Sequence, residues 1–289
     1  MDNLNDSQSI PTRGKFIEIE KIIRNKNPRL LKFLPGFVIS YLKRILHEDE
    51  INDFIERNGD AYGLDFVERI VKEFIRELTV GGTENIPSQK RIIIASNHPL
   101  GGLDGVALMH EAGKIRKDIL FPVNDLLMNL DNLKSLFIPV NKHGSNAQNV
   151  KIINDTFASD VSILYFPAGL CSRKQKHGAI LDLEWKKTFV SYARKYKRDI
   201  IPTYIEGRNS NFFYNLARLR KTLGIKQNIE MLYLVDEVYK QKNKKINIKF
   251  GKPIPFETFD KRFSDKEWAE KIKEHVYRLP TEPKIEFIV

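Results

Sequence analysis

His98 and Asp104 are the two side chains of this chain best suited to moving a proton. They stand in the stretch Asn97-His98-Pro99-Leu100-Gly101-Gly102-Leu103-Asp104, in which two adjacent glycines let the backbone fold back sharply. A carboxylate that accepts a hydrogen bond from one ring nitrogen fixes the tautomer and leaves the other nitrogen free to take a proton. The pair predicts a general base, although a chain with six histidines can hold such a pair by chance.

The residues that precede His98 strengthen the catalytic interpretation. Residues 91–96 have the apolar, β-branched character of a buried strand, and a helix is expected to begin near Asp104. In open α/β sheets, active sites lie beyond the carboxyl ends of the strands. His98 therefore stands where catalytic residues of such folds are usually found.

Short β-branched runs alternate with helical patterns through the rest of the chain. The runs that read as strands are residues 91–96, 119–123, 136–140, 161–166, 200–205, 230–235 and 246–250. Helical patterns cover residues 146–158, 181–195 and 265–277. This alternation predicts an α/β fold with a mostly parallel central sheet surrounded by helices.

The chain before residue 79 has a different character. Residues 1–14 are polar and are predicted to be a disordered tail, and residues 15–78 are predicted to form a helical N-terminal segment. Its last helix is expected to reach Leu78, because Phe66, Ile70, Phe74 and Leu78 recur at helical spacing. Residues 79–289 then form the α/β domain.

Residues 29–46 are the most apolar stretch, with lysine or arginine at both ends and at Lys32. Pro35-Gly36 should break the stretch into two short helical arms. Basic flanks on a short apolar segment are typical of a helix at a membrane surface, and the alternative is that these residues cover the core. No run reaches the roughly 18 apolar residues of a spanning helix, and no secretory signal is visible. We therefore expect a peripheral protein on the cytoplasmic face of a membrane.

The chain is basic, with 48 Lys and Arg against 37 Asp and Glu and a net charge of +11. This charge favours anionic partners, which include nucleic acids, anionic lipids, acidic carrier proteins and phosphorylated substrates. Cys171 is the only cysteine, which excludes an intramolecular disulfide and a cysteine-rich zinc site. His98, His143 and His177 match no compact zinc spacing, so no metal is expected.

Two further blocks follow predicted strands. They are Tyr165-Phe166-Pro167-Ala168-Gly169-Leu170-Cys171-Ser172-Arg173-Lys174 and Ile200-Ile201-Pro202-Thr203-Tyr204-Ile205. Together with the Asn97-His98 block they make three blocks, and their order and spacing are similar to those of the glycerophosphate and lysophosphatidate acyltransferase family. The sequence resembles this family from about residue 79 to 255. It departs from the family by one extra residue between His98 and Asp104, and by Ala168 in place of a glutamate associated with acceptor binding. In both departures the sequence is similar to a bacterial branch of the family that is called hemolysin-like.

The resemblance implies an acyltransferase that works in membrane lipid synthesis. It would move a fatty acyl group from an acyl carrier protein or acyl-CoA to the hydroxyl of a lysophosphatidate- or glycerophosphate-type acceptor, with no further cofactor. His98 would be the general base and Asp104 would orient it. The positions expected to contact substrates are Asn97, Gly101, Gly102, Lys142, Phe166, Pro167, Gly169, Ser172, Arg173, Lys174 and Arg208.

Within this set, the N–H groups of Gly101 or Gly102 would stabilise the oxyanion, and Arg173 and Lys174 would bind an anionic acceptor headgroup. Because some members of the branch resemble enzymes of amino-acid-containing lipids, the alternative acceptor is an amine. Cys171 is interpreted as a packing residue rather than a nucleophile, since nothing places a base beside it.

Two alternatives of other classes remain at this stage. A basic nucleic-acid-binding protein would explain the charge, but no nucleic-acid-binding motif is present and the matched blocks would have no role, so no nucleic-acid partner is expected. A non-catalytic membrane-binding scaffold that keeps the fold would explain the Ala168 departure. An acyl-transfer assay separates the enzyme from the scaffold.

Overall fold

The computed structural model describes residue 15 and residues 17–124, 127–140 and 146–288. The predicted disordered tail, residues 1–14, and the predicted substrate contact Lys142 lie outside the described residues. The chain forms two compact units, the first ending at Gly59 and the second beginning at Asp60.

The first unit is helical. Its helices are α1 (Ile19–Lys26), α2 (Pro28–Phe33), α3 (Gly36–Ile45) and α4 (Glu48–Arg57). Asn27 caps α2, since its side chain accepts a hydrogen bond from the N–H of Leu30. The chain then breaks at Leu34–Pro35, so the predicted division into two short arms is confirmed. Inside this unit, Glu48 is buried and accepts a hydrogen bond from the N–H of Ile19, which fixes α4 against the start of α1.

The second unit contains the sheet. Its helices are α5 (Leu64–Phe74), α6 (Leu103–Ile115), α7 (Asn146–Ala158), α8 (Thr188–Tyr196), α9 (Asn211–Thr222), α10 (Leu234–Gln241) and α11 (Asp265–Arg278). Its strands are β1 (Ile75–Gly81), β2 (Ile92–Ser96), β3 (Ile119–Val123), β4 (Phe137–Pro139), β5 (Ser162–Tyr165), β6 (Arg173–Lys174), β7 (Ile180–Leu181), β8 (Asp199–Ile205) and β9 (Lys244–Phe250).

Among the described residues, seven strands pair in the order β1-β9-β8-β2-β5-β3-β4, and β6 and β7 form a separate antiparallel pair. The five strands from β8 to β4 are parallel, whereas β9 runs antiparallel to β8 and parallel to β1. Strand β2 lies in the middle with all five residues buried. The predicted α/β fold with a mostly parallel sheet is confirmed, and the carboxyl ends of β2, β5 and β8 meet at one edge.

Three predictions of secondary structure were wrong. Ile75 to Leu78 belong to β1 rather than to a helix, because pairing with β9 overrides the helical spacing of the apolar residues. Residues 230–235 form a 3₁₀ turn (Ile229–Tyr233) and the start of α10, whose first turn carries Asp236 and Glu237. The helix predicted from residue 181 begins only at Thr188, after β7 and a loop.

In the part of the chain that the structure describes, no helix is both long enough and apolar enough to cross a bilayer.

Candidate active site

His98 and Asp104 meet as the sequence predicts. The Nδ1 atom of His98 lies 2.9 Å from Oδ2 of Asp104, which is fully buried, while 16% of the His98 side chain is exposed. The same Oδ2 accepts hydrogen bonds from the N–H groups of Leu100 and Gly101, and Oδ1 accepts one from Gly105. The Gly-Gly turn thus wraps around the carboxylate and fixes it beneath the ring.

This environment keeps Asp104 ionised. Burial by itself raises the pKa of Asp104, but the neighbouring His98 ring and the backbone N–H groups outweigh burial and leave that pKa below its ordinary value. An ionised carboxylate accepts the proton of Nδ1, so the lone pair of His98 is on Nε2. Among the described residues, Nε2 of His98 has no hydrogen-bond partner, and the ring is therefore ready to take a proton from a ligand.

Phe166 holds the His98 ring from its face. The two rings are stacked with centroids 4.0 Å apart and an interplanar angle of 20°. Phe166 itself packs edge-on against Phe121. Because Phe166 directly follows β5 and His98 closely follows β2, the parallel pairing of these strands brings the two side chains together.

A second buried carboxylate, Asp182, holds the backbone of His98, and sequence reasoning missed it. Its oxygens lie 3.2 and 3.3 Å from the N–H of His98 and also accept hydrogen bonds from Ser172 Oγ and Trp185 Nε1. Ser172 in turn donates its N–H to the carbonyl of His98. Burial raises the pKa of Asp182, despite these hydrogen bonds. No motif marks Asp182, so no signal in the sequence points to it.

Gly101 and Gly102 serve different purposes in the turn. Gly101 has a φ of +83°, and a Cβ there would approach the side chain of Leu234 within 2.8 Å. A Cβ on Gly102 would approach Val238 within 2.9 Å. The N–H of Gly101 is engaged by Asp104, whereas the N–H of Gly102 has no partner among the described residues. Gly102 is therefore the better of the two candidates for an oxyanion contact.

Asn97 lies at the same edge, but its side chain is used by the protein. It donates to the carbonyl of Ile205 and accepts from the N–H of Ile205, at 2.8 and 2.7 Å, and only 2% of the residue is exposed. This pair of hydrogen bonds ties the ends of β2 and β8 together. The contact positions the His98 turn, and burial keeps the remaining hydrogen-bonding groups of the Asn97 amide away from solvent.

The other predicted contacts in residues 165–174, called the Phe166 block from here on, differ in how exposed they are. Pro167 and Ser172 are buried, and Ser172 is committed to His98 and Asp182. Gly169 is exposed, with a φ of +66°, and a Cβ there would lie 3.2 Å from Nζ of Lys186. Lys186, a cation beside the block, was not among the predicted contacts.

Arg173 is committed to another protein group. Its guanidinium lies 2.9 Å from the fully buried Glu230 and donates to the carbonyl and the Sγ atom of Cys171. Arg220 lies 2.9 Å from the other oxygen of Glu230. Only 11% of the Arg173 side chain is exposed, so these contacts leave the guanidinium little capacity for a headgroup. We assign Arg173 to positioning the block.

Among the described residues, Lys174 and Arg208 are the predicted cations that remain exposed. Arg208 donates to Asn211 and follows Gly207, whose Cβ would approach the side chain of Leu100 within 2.7 Å. The loop after β8 thus packs on the His98 turn. Among the described residues, no three His, Cys, Asp or Glu side chains are arranged to hold a metal ion.

Cys171 is a packing residue in the structure. It is fully buried between the Gly101 turn and α9, and burial raises the pKa of its thiol to about 11, with Arg173 opposing this effect. A thiol held in its neutral form is a poor nucleophile.

Comparison with known proteins identifies the family. A family model described as "Acyltransferase" matches residues 21–282. The chain is 48% identical to lyso-glycine lipid O-acyltransferases of Bacteroides thetaiotaomicron, over 91% of this chain and 97% of that protein, and of Phocaeicola vulgatus, over 91% and 95%. The crystal structure of a 1-acyl-sn-glycerophosphate acyltransferase, PlsC, from Thermotoga maritima aligns with 90% of this chain and 91% of its own, at 16% identity and a TM-score of 0.47.

The lysophospholipid acyltransferase family predicted from the three sequence blocks is confirmed by the family match and by the relatives at 48% identity. The chain belongs to this acyltransferase family, and it is a lipid acyltransferase.

Proposed function

We propose that this protein transfers a fatty acyl group from a thioester carrier to the hydroxyl of a lyso-glycine lipid, with His98 as the general base. The observation that carries this proposal is the His98–Asp104 pair at 2.9 Å, with Nε2 unpartnered, in a chain 48% identical to lyso-glycine lipid O-acyltransferases. The sequence left two acceptors open, the hydroxyl of a lysophosphatidate- or glycerophosphate-type lipid and the amine of an amino-acid-containing lipid. A lyso-glycine lipid shares the hydroxyl with the former and the amino acid with the latter.

The mechanism follows from the protonation states. The acceptor hydroxyl gives its proton to Nε2 of His98 while its oxygen attacks the thioester carbonyl carbon. Asp104 stays ionised and stabilises the imidazolium. The N–H of Gly102 stabilises the oxyanion of the tetrahedral intermediate. As the C–S bond breaks, the proton on Nε2 passes to the departing sulfur, which releases the thiol of an acyl carrier protein or of coenzyme A.

The acceptor's chemistry explains the exposed cations. Glycine has no hydroxyl, so an O-acylated glycine lipid is acylated on its fatty acyl part, away from the glycine carboxylate. The carboxylate therefore needs a cation at a distance from His98. Arg208, in the loop that packs on Leu100, and Lys174 are exposed and suited to that contact.

A transfer assay with defined acceptors tests the proposal. Purified protein is given acyl carrier protein or coenzyme A thioesters with a hydroxyacyl-glycine, a lysophosphatidate or an amine-bearing acyl lipid, and products are identified by mass spectrometry. We expect an ester on the hydroxyacyl-glycine, which mild alkali cleaves. An amide product, or transfer to lysophosphatidate with none to hydroxyacyl-glycine, would overturn the acceptor assignment. The two donors compete in the same assay, which selects between them.

We infer a peripheral position on the cytoplasmic face of a membrane, with α2 and α3 as one contact. Phe33 and Phe37 are 83% and 76% exposed, beside the basic residues Arg29 and Lys32. Aromatic side chains among cations suit the boundary between headgroups and acyl chains. Replacing both phenylalanines with serine should weaken binding to anionic vesicles without changing the unfolding temperature. Unchanged binding would remove α2 and α3 from the contact.

A further inference from the structure

The segment that follows the active-site edge of β8 is strongly basic. Residues 207–229 contain five cations and no acidic residue: Arg208, Arg218, Arg220, Lys221 and Lys226. Arg220 is paired with the buried Glu230. Arg218, Lys221 and Lys226 are exposed, and none of them pairs with a carboxylate among the described residues. Their positive charge is therefore available to a partner.

The same segment exposes large apolar side chains. Phe212, Leu219 and Leu223 are 48%, 55% and 64% exposed, and their spacing of seven and four residues places them on one face of α9 and its end. The opposite face, with Phe213, Tyr214 and Ala217, is buried. Helix α9 therefore presents apolar residues on its outer side as well as its inner side, which a helix that only covers a core does not need.

The 3₁₀ turn Ile229–Tyr233 extends this surface. It packs on α9 through Phe212 and Tyr233, whose ring centroids are 4.9 Å apart, and it exposes 49% of Leu232. We call the set Phe212, Arg218, Leu219, Lys221, Leu223, Lys226 and Leu232 the α9 surface.

The first turn of α9 and the loop before it border the active site. The loop before α9 packs on Leu100 at Gly207, in the turn that holds Asp104. On the buried side of α9, the Arg173 guanidinium lies over the Phe213 ring, 5.0 Å from its centroid. Helix α9 thus contacts both the His98 turn and the Phe166 block, directly or through one residue.

We propose that the α9 surface rests on an anionic lipid bilayer and gives the catalytic unit its own membrane contact, on a helix whose first turn packs against the acyl-transfer site. At about 100° per residue, Arg218 and Lys221 lie off the face of Leu219 and Leu223, so the cations surround the exposed end of α9 instead of sharing its apolar face. Cations around exposed leucines at the end of a helix, in a segment with no carboxylate, complement a layer of anionic headgroups over acyl chains. An acidic carrier protein would match the charge but offers a hydrated surface to the four large apolar side chains. The lipid surface is therefore the occupant that both features favour.

The proposal rests on the lipid nature of the acceptor, which the proposed function supplies. With the site held at the bilayer, a long-chain acceptor reaches His98 without leaving the membrane as a free molecule. Transfer to an acceptor embedded in vesicles then requires the α9 surface, whereas transfer to a short-chain acceptor dissolved in water does not.

Vesicle binding by the full-length protein tests this surface. Two double variants are compared with wild type on vesicles of phosphatidylcholine with and without phosphatidylglycerol: Leu219→Ser with Leu223→Ser, and Arg218→Glu with Lys221→Glu. Each basic residue near an anionic surface strengthens binding about fivefold, so the charge variant should bind anionic vesicles more than about tenfold more weakly, and high salt should weaken wild type in the same way. The leucine variant should lose about tenfold on both vesicle types.

Matched controls carry the same changes elsewhere on the catalytic unit. Val150→Ser with Ile152→Ser removes exposed apolar side chains from α7, and Lys261→Glu with Lys284→Glu reverses two exposed cations. Controls should bind within about twofold of wild type, the scale of ordinary surface substitutions. Thermal unfolding and transfer to the dissolved short-chain acceptor show that the α9 variants fold.

Three outcomes overturn the proposal. Folded α9 variants that bind anionic vesicles like wild type place the membrane contact elsewhere. Variants that bind vesicles normally but lose transfer from an acyl carrier protein, and not from acyl-CoA, make the surface a carrier-protein dock. An equal loss of vesicle binding in the control variants would show that binding depends on total charge or total apolar area rather than on the α9 surface. Vesicle binding is measured without turnover, so a wrong acceptor assignment does not affect these results.

Discussion

The turn that carries His98 and strand β6, which carries Arg173, are neighbours, and in each a functional side chain pairs with a buried carboxylate. The two pairings have opposite effects on that side chain. Asp104 takes one nitrogen of the His98 ring and leaves the other without a protein partner. Glu230 pairs with both Arg173 and Arg220, and Arg173 also donates to the carbonyl of Cys171. The Arg173 guanidinium therefore has few hydrogen-bond donors left for a substrate. A polar side chain in a matched block is available for chemistry only if the fold leaves some of its hydrogen-bonding capacity unused.

The largest expected effect is that of His98→Ala. Removing the general base should lower the acyl-transfer rate by roughly 10²-fold or more, and the variant should still fold, because the N–H groups of Leu100, Gly101 and Gly105 continue to hold Asp104. Steady-state kinetics and thermal unfolding measure the two quantities. A folded variant with near-normal turnover would show that His98 is not the general base, and the contrast between the Asp104 and Glu230 pairings would no longer concern catalysis.

Asp104→Asn should cost nearly as much activity. The amide keeps the size of the carboxylate but cannot stabilise the imidazolium, and it can select the wrong tautomer of His98. The loss should appear in kcat, with little change in the acceptor KM, because Asp104 touches no substrate. A variant that changes only the acceptor KM would contradict the orienting role.

Arg173→Ala should affect stability more than substrate binding. It removes one of the two arginines that contact the buried Glu230, and because Arg220 still neutralises the carboxylate, the loss should be that of a charged hydrogen bond, about 1.5–3 kcal/mol of unfolding free energy. Lys174→Ala, in the exposed neighbour, serves as the control and should change stability by less than about 0.5 kcal/mol. A stable Arg173→Ala variant with a raised acceptor KM would return headgroup binding to Arg173.

Asp182→Asn should give an intermediate effect, about tenfold in kcat, because it loosens the backbone of His98 rather than the ring. Its pH dependence separates positioning from simple destabilisation. Since burial raises the pKa of Asp182, the folded protein holds this proton more tightly than the unfolded chain, and the group's contribution to stability falls as pH rises from the ordinary Asp value through the raised one. The variant should lack this decline in denaturation measured across that range. An unchanged pH profile would contradict the assignment.

The smallest effect should follow from Arg208→Ala. Losing one charge-assisted hydrogen bond to an acceptor carboxylate should raise the acceptor KM roughly tenfold, with kcat and the donor KM little changed. Competition with a neutral ester of the acceptor provides the control, since the ester should bind both proteins alike. An effect on the donor KM alone would place Arg208 at the carrier instead.

The sequence predicts those parts of the site that depend on local pattern. The strand before His98 and the return of Asp104 to the ring through a Gly-Gly turn both depend on adjacent residues. Asp182 could not be predicted, because it meets His98 across 84 residues and follows a strand of only two residues. The apolar residues after Glu230 resemble a strand, but Glu230 is buried between two arginines, and this pairing is visible only in three dimensions.

Chemical labelling of Cys171 can measure local opening of the active site in the natural sequence. It is the only thiol, it is fully buried against the turn that holds Asp104, and its raised pKa of about 11 keeps it unreactive while the site stays closed. A thiol reagent therefore reacts only when one of the elements that cover Cys171, the Gly101 turn or α9, moves away from it. When labelling is slow compared with reclosing, the labelling rate divided by the rate for an unfolded peptide gives the equilibrium constant for opening, and the logarithm of that constant gives the free energy of opening at the active site. An acceptor that closes the site should slow the labelling in proportion to its occupancy.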